Sequence, residues 1–73
     1  MNTLLFKALE ARYHAQKLDA LARLSVYGTN SVGIGEHPQI TDEMDSLVQQ
    51  FVDANDKLES VKKILNELEI EKS

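Results

Sequence analysis

Two stretches of the chain repeat their apolar positions at the period of an α-helix, and a short glycine-containing stretch separates them. The second is the cleaner. Ile40, Met44, Leu47, Phe51, Ala54, Leu58, Val61, Leu65 and Leu68 follow one another in steps of four and three. This is the a/d pattern of a coiled coil, carried through about four heptads. Val48, Val52 and Ile64 widen the stripe, and the rest of the surface is polar. Asp53 with Lys57, and Glu59 with Lys63, stand four residues apart with the acid first, the order that supports a helix. The pattern predicts a helix over about 37–69 with a single face to bury.

The first stretch predicts a helix over about 3–27, free of Gly and Pro and rich in strong helix formers. Asn2 or Thr3 suits the N-cap, and Gly28 suits a left-handed residue that ends the helix. Here the apolar positions form two stripes. Leu4, Ala8, Ala11, Ala15, Leu18, Ala22 and Val26 share one; Phe6, Leu9, Tyr13, Ala20, Leu24 and Tyr27 share another, nearly opposite. A helix with two apolar faces has to be covered twice. Between the helices, residues 28–36 hold Gly28, Gly33 and Gly35 with Asn30 and Ser31, all turn formers. Pro38 is favoured in a first helical turn, so the second helix is expected to start at His37 or Pro38, with Thr41 and Asp42 as a slightly later alternative.

These elements give an all-α fold, an antiparallel two-helix hairpin forming one domain over 1–73. Small side chains suit close approach, so the alanine-rich stripe is expected against the seam of Met44, Leu47, Phe51, Ala54, Leu58, Val61 and Leu65. Phe6, Leu9, Tyr13, Ala20, Leu24 and Tyr27 are then left outside, as a dimer or partner interface. A chain of 73 residues has a thin core, and without cysteine it gains nothing from disulfides. Pairing of that outer stripe with its own copy is therefore expected, a homodimer forming a four-helix bundle. The longer second helix is expected to overhang its partner from about Leu65 onward.

Charge narrows the function classes. The net charge of −4 divides into +2 up to Gly35 and −6 from Glu36 onward, so the two helices are expected to lie against each other. Arg12, Lys17 and Arg23, with Tyr13 and Tyr27, are spread over both flanks of one helix, a poor footprint for nucleic acid. No apolar run approaches the ~18 residues of a membrane span. A soluble protein of the cytoplasm is expected.

Chemistry is sparse. Glu36-His37, with His14, is the candidate for metal or proton chemistry, but two histidines without HxxxH or HExxH spacing fit a helix start better. Gly33-Ile34-Gly35 lacks the preceding strand and following Lys-Ser/Thr of a phosphate loop. No Ser, His and acid stand at a recognisable spacing, and neither catalysis nor a cofactor is expected.

Val32-Gly33-Ile34-Gly35-Glu36-His37-Pro38, followed by an acidic helix with Asp53-Ala54-Asn55-Asp56-Lys57-Leu58-Glu59, resembles a group of phage proteins. These are small uncharacterised proteins of marine cyanobacterial tailed phages (myoviruses), with a Gly-Glu-His-Pro loop before an acidic helix. The resemblance covers residues 26–65. It implies a viral protein acting in the cytoplasm of the infected bacterial host or packaged in the virion, and it implies no activity or functional residue. The expectation is a non-enzymatic homodimeric interaction module, engaging itself and a host or viral protein. The alternatives are a small virion structural or assembly component, then a metal- or anion-binding protein through Glu36 and His37.

Overall fold

Strong helix formers fill both periodic stretches, and both become helices. The computed structural model describes residues 3–29 and 39–72, with side chains described for 3–28 and 39–69. These residues form α1, Thr3–Thr29, and α2, Gln39–Lys72, and there is no strand among them. The helices pack side by side in a rod of 57 × 14 × 14 Å. At about 1.5 Å per residue, α2 alone spans roughly 51 Å of that length.

α1 starts at Thr3 as expected, and both helices run past their expected C-terminal ends. α1 runs through Gly28 to Thr29, and Gly28 is helical, with open space where a Cβ would point. Glycine inside a helix costs about 1 kcal/mol relative to alanine, a penalty that a tertiary tie can outweigh. The tie is the Tyr27 hydroxyl, which donates a 2.7 Å hydrogen bond to Glu43 Oε2 in α2. α2 continues to Lys72, past the expected end at Glu69. Gly33, Gly35, Glu36, His37 and Pro38 lie outside the described residues.

The hairpin is antiparallel. Tyr27 meets Glu43, the Lys17 ammonium lies 5.7 Å from the Phe51 ring centroid, and the Lys57 ammonium lies 5.7 Å from that of Tyr13. Phe6 and Leu9 share a groove with Val61 and Ile64, so the first turns of α1 lie beside the last third of α2. Leu65 is buried and Leu68 half-buried, so α2 does not overhang from Leu65 as its length suggested. α2 contributes Leu47, Ala54, Leu58, Val61 and Leu65 to the core, with Met44 and Phe51 half-buried beside them.

The seam takes the opposite face of α1 from the expected one. Ala20 is fully buried, and Phe6, Leu9, Tyr13, Leu24 and Tyr27 are half-buried. Ala8, Ala11, Ala15 and Ala22, expected inside, are exposed. Area explains the choice. A hairpin can cover one face of α1, and burying Phe, Tyr and Leu removes more apolar surface from water than burying Ala, at about 25 cal/mol per Å². Thr3, Glu10 and Lys17, also half-buried, complete the pattern. With them, one core position repeats as Thr3, Glu10, Lys17, Leu24 and the other as Phe6, Tyr13, Ala20, Tyr27, an unbroken heptad. Lys17 fits because its aliphatic stem packs along the seam while its ammonium reaches the Phe51 ring.

Candidate functional site

With the seam settled, the other stripe of α1 is the candidate site. It too is a heptad: Leu4, Ala11, Leu18 and Ser25 repeat at one position, Ala8, Ala15 and Ala22 at the other. Leu5 and Val26 border it on one side and Leu21 on the other. Leu4 is 73% exposed, Leu5 66%, Val26 58% and Leu18 50%. Leu21, and Val48 and Val52 of α2, are also exposed. Isolated exposed leucines need no explanation, but a continuous apolar stripe of six turns makes this face the candidate interaction surface. Ser25 does not interrupt it, because its hydroxyl donates a 2.7 Å hydrogen bond to the Ala22 carbonyl.

Charges frame the stripe on one side. Arg12 and Asp19 fall in the row that begins with Leu5 and ends with Val26, one heptad apart from each other and from their neighbours. Arg23 Nε lies 3.2 Å from Asp19 Oδ2 and 3.3 Å from Oδ1, an ion pair within the helix with both side chains in water. On the opposite row stand Lys7, His14 and Leu21.

The opposed charges of the two helices are not spent on ion pairs across the seam among the described residues. The ion pairs there are Arg23–Asp19 and Lys62–Glu59, the latter at 3.9 Å, each within one helix. Two lysines reach across instead to aromatic rings, as described above. Asp53, expected to pair with Lys57, accepts a 2.9 Å hydrogen bond from Gln49 Nε2. Glu59 pairs with Lys62 where Lys63 was expected. Arg12, Lys17 and Arg23 do not form one basic surface: Lys17 is in the seam, Arg12 is outside it, and Arg23 is held by Asp19.

At the loop-proximal end, the hydrogen bond to Glu43 raises the Tyr27 pKa above its usual value, with desolvation and the charge of Glu43 adding to the shift. A phenol whose proton is bound to a carboxylate gives it up less readily. Among the described residues no group of three or more His, Asp or Glu side chains stands where it could hold a metal ion. Glu36 and His37 lie outside them. No helix among the described residues is long and apolar enough to cross a membrane.

Sequence reasoning found both stripes and assigned them the wrong way round. The signal that separates them is side-chain size: Phe6, Tyr13, Leu24 and Tyr27 on the buried stripe against Ala8, Ala11, Ala15 and Ala22 on the exposed one. Comparison with known proteins finds no match to this chain among family models, curated proteins or solved structures.

Proposed function

We propose that this chain is a non-enzymatic helical-hairpin homodimer, a protein–protein interaction module whose subunits meet through the outer face of α1. The exposed stripe from Leu4 to Val26 carries this reading. Homodimerisation around α1 is retained from the sequence pattern, but through the alanine-rich face, because the aromatic face is already covered by α2. The resemblance of the loop and of α2 to phage proteins supports a role in an infected bacterial cell.

Surface area supports the same reading. The chain exposes 5550 Å², about 1000 Å² more than the roughly 4500 Å² expected of a compact monomer of 8.2 kDa. A standard interface takes about 800 Å² from each partner. A thin rod regains its excess area most fully by pairing along its length, and the outer stripe runs along that length.

Light scattering across a hundred-fold concentration range tests the proposal. A mass of twice 8.2 kDa is expected at the upper concentrations, and Ala15→Glu is expected to give a helical protein of 8.2 kDa. A wild-type mass of 8.2 kDa throughout would overturn the homodimer.

A further inference from the structure

We propose that the second copy lies antiparallel on the first, α1 against α1, about a two-fold axis near Ala15, with its register set by Arg12 and Asp19. This rests on the homodimer reading and gives the partner's orientation and contacts. The argument is self-complementarity. A two-fold interface uses the same patch twice, so each residue must suit the residue to which the axis carries it.

The stripe meets that demand in one orientation. The axis takes Ala8 to the partner's Ala22, Ala15 to the partner's Ala15, and Ala11 to the partner's Leu18. Each large side chain along the middle then faces a small one, which lets the helix axes approach to the short end of the usual ~8–10 Å range. The bordering row reads Leu5, Arg12, Asp19, Val26 at seven-residue spacing. In an antiparallel pair this row faces its own copy reversed. Leu5 then meets the partner's Val26, and Arg12 meets the partner's Asp19, twice by symmetry. Asp19 already accepts Arg23 at 3.2 Å, and a carboxylate has lone pairs for a further donor. The pair thus grows into a three-residue network across the seam.

The other border also tolerates this arrangement. It sets Lys7 against the partner's Leu21 and His14 against the partner's His14, so no two fixed like charges face each other. A parallel pair fails the same inspection. It would bring Arg12 beside the partner's Lys7, cation on cation and twice by symmetry, and would set Asp19 beside the partner's His14 and Leu21, away from any fixed cation. Like charges across an interface select against the wrong partner geometry more strongly than matched ones add affinity.

The chain contains no cysteine, so introduced thiols report cleanly. Ala8→Cys and Ala22→Cys are made separately, mixed in equal amounts, allowed to exchange subunits and oxidised. A disulfide needs Cα atoms about 4.4–6.8 Å apart, and only facing positions of a close helix pair meet that. The expected main product links Cys at 8 to Cys at 22. Links between identical positions as the main product would overturn the antiparallel arrangement while leaving a dimer. No link with a dimeric mass would overturn this face as the interface. No link with a monomeric mass would overturn the homodimer reading itself. Charge reversal reads the register independently. Arg12→Asp is expected to weaken the dimer about tenfold without loss of helicity. Adding Asp19→Arg should recover most of that loss, and a failure to recover any would overturn the assigned ion pairs.

Discussion

The two faces of α1 carry the same seven-residue repeat and meet different fates. The inner one, with Phe6, Tyr13, Leu24 and Tyr27 around a fully buried Ala20, is covered by α2. The outer one, with Leu4 and Leu18 between alanines, faces water. Since both satisfy helical periodicity, periodicity cannot have chosen between them. The choice followed apolar area, which goes first to the partner that is always at hand, the other helix of the same chain. What remains is a face of small side chains, poor in area but able to bring helix axes close. Such a face gains most from a long, regular partner, and a second α1 is one.

Truncation at matched depth is the strongest way to break this comparison. Leu58→Ala removes a core side chain that is 2% exposed, at a cost of about 2–5 kcal/mol. A domain of this size has only ~3–5 kcal/mol in hand, so far-ultraviolet circular dichroism should show most of the helix lost at room temperature. Leu18→Ala makes the same chemical change on the outer face. It should leave the hairpin helical and weaken the proposed dimer, read as a lower mass at a given concentration. Should Leu18→Ala also unfold the chain, the two faces are one cooperative core and the distinction fails.

Much of this was legible from the sequence, and the failure is instructive. α2 was readable because its heptad is apolar at every core position from Ile40 to Leu68. α1 was readable as a helix, but the face it buries was not. Its winning stripe is interrupted by Glu10 and Lys17, which count as polar by residue type although the Lys17 stem is largely hydrocarbon. The losing stripe is apolar without interruption from Leu4 to Ala22. A hydrophobicity pattern weighs Ala and Phe as the same kind of position, whereas burial weighs them by area. The hydrogen bond from Tyr27 to Glu43 was beyond reach for another reason. It depends on the register between the helices, which neither heptad alone specifies.

Glu10 offers a way to sharpen the comparison at middle size. It is half-buried at a core position of the inner heptad and lines a groove with Leu58 and Lys62. Glu10→Leu should add about 1 kcal/mol through apolar burial, and a thermal melt should shift upward by about 4–8 °C. The mass in solution should not change, because the outer face is untouched. A lower melting temperature would mean that the seam depends on a charge at this position, and apolar area alone would no longer explain which face is buried.

The smallest effect lies where the inner face ends. The Tyr27 hydroxyl bonds to Glu43 as the neutral phenol, so the fold favours the protonated form and its pKa is raised. The contribution of this tie to stability is fully present below the ordinary tyrosine pKa of about 10. It is lost as pH rises through the higher value of the folded chain. Ultraviolet titration in a Tyr13→Phe background isolates the phenolate signal of Tyr27. Glu43→Gln should move its midpoint down toward the ordinary value, because a neutral amide holds the proton less firmly than a carboxylate. At neutral pH the helicity of the two proteins should be nearly the same, since the bond lies at the surface. An unmoved midpoint would mean that Tyr27 reaches water instead of Glu43. The inner heptad would then close at Leu24, leaving the last turn of α1, Gly28 included, without the tertiary tie that carries it to Thr29.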